Sequence, residues 1–236
     1  MAIKLVVFDM AGTTVNDADN VHQALQNALQ KAGYTATRDE VNAFMGYAKP
    51  IAIQHLLQHK GATADQVDNE AYIQQIHQDF VNEMVDFYQN NPLVSEQPLV
   101  RETFQALRKR NIKIAIDTGF SREIADVIME RLGWKRDVIF DYSITSDEVE
   151  NGRPHPDMIY QAMQKLGIEN TNEVAKVGDT ISDMQQGKAA KCKLVVGVTT
   201  GAYAREELTP YNPTHIIDSL FEMVAIIDKE LVKQRV

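Results

Sequence analysis

The stretch that decides the fold is KLVVFDMAGTTVND, residues 4–17. Its apolar, β-branched run at residues 5–8 has the length and composition of a buried strand, and it ends on one carboxylate, Asp9, before a Gly/Thr turn. Ala11 stands where a second carboxylate would complete an acid/base pair with Asp9. The stretch therefore predicts a buried strand that carries one isolated carboxylate to the end of a sheet.

Further apolar runs predict more strands of the same sheet. They cover residues 113–116, 142–144, 174–177 and 193–198, and helical patterns cover residues 99–110, 121–132, 156–166, 183–190 and 216–236. Strands that alternate with helices predict right-handed crossovers and a doubly wound, parallel α/β fold. Ligands of such folds bind at the C-terminal ends of the strands. The polar residues predicted there are Asp9, Thr118, Asp179 and Asp183.

The alternation of strands and helices stops between the first two strands. Four helices are predicted there: one at residues 21–31, a second that begins at a capping box formed by Thr37 and Glu40, and two more at residues 50–59 and 71–88. Such a stretch is too long for a loop. We therefore predict an inserted α-helical cap domain over residues 16–95 and a core domain of residues 1–15 and 96–236, with hinges at residues 15–19 and 89–96.

Composition and charge argue against several classes of protein. The 236 residues carry a formal net charge of −9, which disfavours general nucleic-acid binding because phosphate contacts need clustered Lys and Arg. No apolar run reaches the length of a membrane span, and the N-terminus lacks a signal-peptide pattern. The single cysteine, Cys192, fits a reducing compartment. We expect a soluble, cytoplasmic protein with neither a nucleic-acid nor a membrane partner.

The polar residues at the strand ends fit phosphoryl-transfer chemistry. Asp9 is a candidate nucleophile, while Asp179 and Asp183, spaced i,i+4, can offer two oxygens to one cation. Thr118 precedes a predicted helix and suits an anion site, and Arg153 suits bidentate phosphate binding. Each residue alone has a structural alternative, such as a helix cap or a surface charge. Their ordered positions at successive strand ends favour the functional interpretation.

Four segments of the chain resemble the motifs of the haloacid dehalogenase superfamily. They are DMAGTT, the segment around Thr118, GRPHPDM and VGDTISD, in that order and across nearly the whole chain. The helical insertion after the first motif is similar to the superfamily's α-helical cap. The resemblance therefore implies the superfamily's Rossmann-like core with an inserted cap.

The same resemblance implies roles for individual residues. Asp9 becomes the nucleophile that forms an aspartyl-phosphate, and Thr118, Gly119 and Arg153 bind the phosphoryl group. Mg²⁺ is the implied cofactor. Its implied ligands are Asp9, the backbone carbonyl of Ala11, Asp179 and Asp183.

Ala11 is typical of one part of the superfamily. Its phosphatases usually carry an Asp two residues after the nucleophile, which protonates the departing alkoxide. The pattern D-x-A-G-T-T is similar to the phosphonatase-like subgroup, in which a cap lysine forms a Schiff base with the substrate aldehyde. The resemblance implies hydrolysis of phosphonoacetaldehyde or a related small phosphonate, with activation of the leaving group from the cap.

The predicted cap supplies a lysine in the segment FMGYAKPIAIQHLL. Lys49 precedes Pro50, which favours the first helical position, so we expect Lys49 at the N-cap, where the helix dipole disfavours the ammonium form. Gly46 allows a sharp turn before it, and we expect Met45 and Tyr47 to shape the cap side of the pocket and contact substrate. The alternatives are a solvated lysine or a lysine that only steers phosphate.

Two departures from the subgroup leave the substrate open. Members that cleave phosphonoacetaldehyde carry His where this chain has Ala52 and Trp where it has Met10, so Tyr47 or His22 could take over the proton transfer. The alternative functions are a P–O phosphatase of a small metabolite, similar to phosphoglycolate phosphatase, and a non-catalytic binder of a phosphorylated ligand. The subgroup often pairs through its caps, so the resemblance allows a homodimer, which no residue pattern decides.

Overall fold

The computed structural model describes residues 2–16 and 20–232. Its strands are β1 (Leu5–Asp9), β2 (Val15–Asn16), β3 (Ser95–Glu96), β4 (Lys113–Thr118), β5 (Tyr142–Thr145), β6 (Val174–Gly178), β7 (Leu194–Val198) and β8 (His215–Ile217). Its α-helices are α1 (Asn20–Lys31), α2 (Arg38–Asn42), α3 (Lys49–His59), α4 (Ala64–Val67), α5 (Glu70–Asn90), α6 (Val100–Arg108), α7 (Arg122–Arg131), α8 (Asp157–Leu166), α9 (Ile181–Ala189), α10 (Arg205–Leu208) and α11 (Glu222–Val232). Within the described ranges, no helix is long and apolar enough to span a membrane.

Six strands form one parallel sheet in the order β5–β4–β1–β6–β7–β8. Both faces of β1 are packed, because Val6 and Phe8 belong to one hydrophobic cluster while Leu5 and Val7 belong to another. A strand that is buried on both faces has no solvent-facing side, so its residues are apolar at successive positions rather than alternating, as they are in β1 up to Asp9. The predicted doubly wound α/β fold is confirmed, and β1 lies at the centre of its sheet between β4 and β6.

The prediction for residues 216–236 is wrong at its start. Residues His215–Ile217 form strand β8, which pairs in parallel with β7, and helix α11 begins only at Glu222. The extra strand satisfies backbone groups along β7 that a helix would leave unpaired. Residues 233–236 of that prediction lie outside the described residues.

Helices α1–α5 form the predicted α-helical cap between β2 and β3. The long helix α5 packs against α1 and α3 within the cap and against α7 of the core. The predicted capping box is present at the start of α2: Thr37 Oγ1 accepts from the Glu40 amide at 3.3 Å, and Glu40 accepts from the Thr37 amide at 2.7 Å. The cap is therefore a helical unit with packing of its own that also rests on the core.

Two short strands mark the places where the chain enters and leaves the cap. β2 and β3 pair antiparallel, and Glu96 of β3 accepts hydrogen bonds from Trp134 Nε1 at 2.6 Å and Arg101 Nε at 2.8 Å. These contacts hold β3, where the chain leaves the cap, against the core. Of the predicted hinges, residues 17–19 lie outside the described residues, and the domain limits of 1–15, 16–95 and 96–236 stay a prediction.

Candidate active site

Asp9, the predicted nucleophile, lies at the C-terminal end of the central strand. Arg153 Nη2 donates to Asp9 Oδ1 at 2.5 Å, and no described residue donates to Oδ2. Burial raises the pKa of Asp9 from 3.8 to about 6, although the positive charge of Arg153 opposes the shift. One oxygen is therefore held by a guanidinium while the other is available for chemistry.

Asp9 belongs to a buried cluster of five charged side chains, three carboxylates and two cations. Arg153 Nη1 donates to Asp183 Oδ1 at 2.8 Å, and Arg153 Nη2 lies 3.6 Å from Asp117 Oδ1. Lys176 Nζ lies 3.0 Å from Asp183 Oδ1 and also donates to Asp117 Oδ1. The side chains of all these partners of Asp9 are fully buried. Because a buried charge is tolerated only when it is paired, each member depends on the others.

Two members of this cluster, Asp117 and Lys176, were not predicted from the sequence. Asp117 lies in the strand KIAIDT and Lys176 in the strand VAKVG, which flank β1 on either side. A charged residue inside a strand that is buried on both faces needs a buried partner of opposite charge. The sequence therefore contained a signal for this ion pair: one acidic and one basic residue, Asp117 and Lys176, each within an otherwise apolar strand.

Asp179 lies directly after β6 and lines the same cavity as Asp9. Thr13 Oγ1 donates to its Oδ1 at 2.8 Å, and the Ala202 amide donates to its Oδ2 at 2.7 Å. Burial and repulsion from the carboxylates of Asp9 and Asp183 hold the pKa of Asp179 well above its usual range. The ionised form of Asp179 is therefore disfavoured, and a cation bound beside it would favour that form.

The chain around Asp179 fits a hard divalent cation. Gly12 leaves room for the carboxylate, since a Cβ there would come within 2.5 Å of Asp179 Oδ2. Asp9, Ala11 and Asp179 all line the cavity, and carboxylate and carbonyl oxygens are the donors that Mg²⁺ prefers. Oxygens of Asp9, Asp117 and Asp183 also lie within 4.8 Å of one another. The side chains of Arg153 and Lys176 already pair with these three carboxylates, so this group of three suits a metal ion less well.

A cavity of about 300 Å³ lies between the core and the cap. The core contributes Asp9, Ala11, Gly12, Thr118, Gly119, Phe120 and Asp179 to its wall, and the cap contributes Val21, His22, Met45, Gly46 and Lys49. The structure thus brings together most of the predicted site residues. Tyr47, Arg153 and Asp183 are not among the described residues that line the cavity. Their predicted roles toward substrate and metal stay predictions.

Lys49 lies in the cap wall of the cavity and is only 2% exposed. It is the first residue of α3, and the N-cap position predicted for it is taken by Ala48. Lys49 Nζ donates to the Tyr47 carbonyl at 3.3 Å and lies 5.8 Å and 5.6 Å from the ring centres of Phe80 and Phe120. The alternative of a solvated lysine is thus excluded, and Lys49 is a buried amine at the cavity.

Glycines allow the loop before Lys49 to touch the core directly. Gly46 has a φ of +81°, and a Cβ at this position would collide with Ser182 Oγ at the start of α9. A Cβ at Gly119 would lie 2.6 Å from the carbonyl oxygens of Gly46 and Tyr47. The sharp turn predicted at Gly46 is confirmed, and the structure is that of a closed cap.

Comparison with known proteins identifies the family. Residues 6–197 match the model of the haloacid dehalogenase-like hydrolases. The chain belongs to this family. Its geometry agrees with that assignment, since the carboxylate of Asp9, the cavity and the helical cap occur together at one edge of the sheet.

Individual relatives narrow the resemblance within the haloacid dehalogenase-like hydrolases. A phosphonoacetaldehyde hydrolase from Bacillus cereus is 32% identical over 212 residues, which cover 86% of this chain and 78% of the relative. The structure of a phosphonoacetaldehyde hydrolase like protein from Oleispira antarctica has a TM-score of 0.84 at 20% identity, over 98% of this chain and 93% of that one. The structure of a predicted phosphoglycolate phosphatase from Haemophilus somnus has a TM-score of 0.77 at 23% identity, over 95% of this chain and 97% of that one. The two structures show the shared fold.

The buried charge cluster yields a stability prediction. Replacing Lys176→Met leaves Asp117 and Asp183 short of a cation, and breaking a buried pair in this way costs about 3–5 kcal/mol in the free energy of unfolding. The double variant Lys176→Met/Asp117→Asn removes one charge of each sign, so we expect it to be more stable than the single Lys176→Met variant. Urea unfolding of both variants measures the difference. A double variant as unstable as the sum of the two single variants would contradict the pairing.

The closed cap yields a second prediction, at Gly119. Gly119→Ala pushes the cap loop away from the core, and we expect kcat/KM of the hydrolase to fall about 10- to 100-fold, because small displacements of positioned groups carry costs of this size. Gly152→Ala is the matched control, since its Cβ would meet the side chains of Ala48 and Ser146 at 3.2 and 3.5 Å and no backbone atom that close, and its loss should be smaller. Equal activity of the wild type and Gly119→Ala would show that the cap does not need this contact.

Proposed function

We propose that the protein is a Mg²⁺-dependent hydrolase that cleaves phosphonoacetaldehyde or a closely related small phosphonate. One observation carries the proposal: a single cavity contains a nucleophile without its usual acid, Asp9 with Ala11, and a buried cap amine, Lys49. Asp9 supplies the attack on phosphorus. Lys49 supplies the activation of the leaving group, which Ala11 cannot provide. The names of the curated relatives, phosphonoacetaldehyde hydrolases, support the substrate class.

The core wall of the cavity would bind the phosphoryl group. Thr118 Oγ1 accepts a hydrogen bond from the Phe120 amide at 3.2 Å, so its own hydroxyl hydrogen can donate to a phosphoryl oxygen. Asp9, the carbonyl of Ala11 and Asp179 would hold Mg²⁺, which when bound neutralises charge on the phosphoryl oxygens. Asp183 and Arg153 contribute from outside the cavity wall: their ion pair at 2.8 Å keeps the guanidinium on Asp9.

In the reaction that we propose, Lys49 first condenses with the substrate aldehyde. Its amine nitrogen bonds to the carbonyl carbon, the carbonyl oxygen leaves as water, and a protonated imine remains. Asp9 Oδ2 then attacks phosphorus. The electron pair of the breaking C–P bond moves into the imine and gives an enamine, while the phosphoryl group becomes an aspartyl-phosphate. Water then releases phosphate from Asp9, and protonation and hydrolysis of the enamine release acetaldehyde and restore Lys49.

Trapping of the lysine adduct tests this function. With Mg²⁺ and phosphonoacetaldehyde we expect release of acetaldehyde and phosphate, and with borohydride we expect covalent labelling of the wild type at Lys49. The Lys49→Arg variant keeps the positive charge but cannot form an imine, so it should still bind phosphate and remain unlabelled. Labelling that persists in Lys49→Arg would contradict the role of this lysine. No turnover at millimolar substrate would contradict the substrate.

A P–O phosphatase of a small phosphorylated metabolite is the second candidate. The contacts of Lys49 favour it, because donation to the Tyr47 carbonyl and the neighbouring rings of Phe80 and Phe120 suit an ammonium group that attracts a phosphate. In this version Lys49 binds substrate without forming an imine. The membership of a hydrolase family favours either enzyme over a non-catalytic binder.

The missing acid at Ala11 makes a prediction that applies to both candidates. Ala11 lines the cavity, so Ala11→Asp places a carboxyl group beside the leaving oxygen of a phosphate monoester. We expect kcat for a monoester such as p-nitrophenyl phosphate or phosphoglycolate to rise at least about tenfold, the lower part of what general acids contribute. Ala11→Asn is the control of equal size without an acid. Activation by Asn, or none by Asp, would contradict our account of this position.

A further inference from the structure

The segment that follows β7 contacts the loop after Asp9 and also the carboxylate of Asp179. Thr200, Gly201 and Ala202 lie in this segment and line the cavity. The reaction proposed above assigns no role to Thr200 or Gly201. Two donors of the segment, the Thr200 hydroxyl and the Ala202 amide, are engaged by acceptors of the site itself.

The Thr200 hydroxyl holds the backbone of Gly12. Thr200 Oγ1 donates to the Gly12 carbonyl at 2.7 Å, and Gln97 Nε2 donates to the same carbonyl at 3.4 Å. On the other side of the residue, the Gly12 amide donates to the Val15 carbonyl at 2.8 Å. Gly12 has a φ of +82°, and glycine has more backbone freedom than any other residue. The hydrogen bonds therefore fix both peptide groups of a residue that would otherwise turn easily.

Fixing Gly12 also fixes the direction of the Ala11 carbonyl. The Ala11 carbonyl and the Gly12 amide belong to one planar trans peptide group, so the oxygen and the amide hydrogen point in opposite directions. Val15 holds this peptide group by its amide, and Thr200 anchors the peptide group that follows it. Gly12 therefore cannot rotate and carry with it the Ala11 oxygen, which is a Mg²⁺ ligand in the proposed function.

The same segment encloses the carboxylate of Asp179. A Cβ at Gly201 would collide with this carboxylate, and a Cβ at Gly12 would lie 2.5 Å from Asp179 Oδ2 and 3.0 Å from Gly201 Cα. The carboxylate thus lies between two glycines, and the Ala202 amide donates to its Oδ2 at 2.7 Å. Two of the oxygen donors proposed for Mg²⁺ are oriented by one short segment after β7.

We propose that Thr200 is a positioning residue of the Mg²⁺ site. Its hydroxyl acts through Gly12 and keeps the Ala11 carbonyl in the direction in which this oxygen can bind the cation together with Asp9 and Asp179. Ligands that are ordered before the cation arrives need no ordering when it binds, so the contact raises the affinity of the site. The proposal rests on the proposed function, because it concerns the metal site of that function.

Metal binding without substrate tests the role of Thr200. Mn²⁺ takes the same kinds of oxygen ligand as Mg²⁺, and the electron paramagnetic resonance signal of the free ion gives its dissociation constant without turnover. Thr200→Val keeps the shape of the side chain but removes the donor to Gly12. We expect its dissociation constant for Mn²⁺ to rise about tenfold, the lower end of what replacing the partner of a metal ligand costs. Thr200→Ser restores the hydroxyl and should restore the wild-type affinity.

Two further variants separate this contact from a general disturbance of the loop. Thr199→Val is the matched control: it makes the same change one residue earlier, where the hydroxyl donates to Asp218 Oδ1 at 2.7 Å, and it should bind Mn²⁺ like the wild type. Thr200→Ala removes the hydroxyl without the added methyl group of valine and should lose as much affinity as Thr200→Val.

Several outcomes would overturn the role of Thr200. They are wild-type affinity in Thr200→Val and Thr200→Ala, an equal loss in Thr199→Val, no recovery in Thr200→Ser, and a wild type that does not bind Mn²⁺. The outcome is separate from that of the proposed function. A loss that depends on the Thr200 hydroxyl, in a protein that does not turn over phosphonoacetaldehyde, would support this contact and contradict that substrate. Unchanged affinity in a protein that does turn it over would contradict this contact alone.

Discussion

The guanidinium of Arg153, held between Asp9 and Asp183, is the interaction on which the site depends. Neighbouring strands bring several carboxylates to one edge of the sheet, where burial and mutual repulsion oppose their ionisation. Arg153 and Lys176 make this concentration of negative charge tolerable, because each contacts two or more of the carboxylates. The cluster keeps Asp9 in one orientation before any substrate arrives, and such preorganisation is where electrostatic catalysis gains most.

The second constraint on the site is the close contact of the cap with the core. The backbone of Gly119 meets the backbone of Gly46 and Tyr47 at a distance that a side chain on Gly119 would not allow, so the cap loop docks directly on the core. This docking places Lys49 and His22 in the wall of a cavity whose other wall holds Asp9. In our account the core supplies the attack on phosphorus, and the cap supplies the activation of the leaving group.

The sequence predicted those features that a single local pattern encodes. The run before Asp9 predicted the central strand, the lack of strands up to residue 91 predicted the cap, and Gly46 predicted the turn at Lys49. Features that need a partner far along the chain were missed. Lys176 and Asp117 lie 59 positions apart and make sense only together, and β8 depends on an edge of β7 that is free to pair. Asp183 pairs with Arg153 and Lys176 and does not line the cavity. These ion pairs were missed for the same reason, because Arg153 lies far from it along the chain and Lys176 lies inside a strand.

The central claim of the account is that Asp9 accepts the phosphoryl group. Rapid acid quenching of the wild type during turnover of phosphonoacetaldehyde, followed by peptide mapping, tests this claim directly. The account predicts the added mass of one phosphoryl group on the peptide that contains Asp9, and neither this adduct nor phosphate release in Asp9→Asn. A phosphoryl adduct on another residue, or undiminished turnover by Asp9→Asn, would contradict the account.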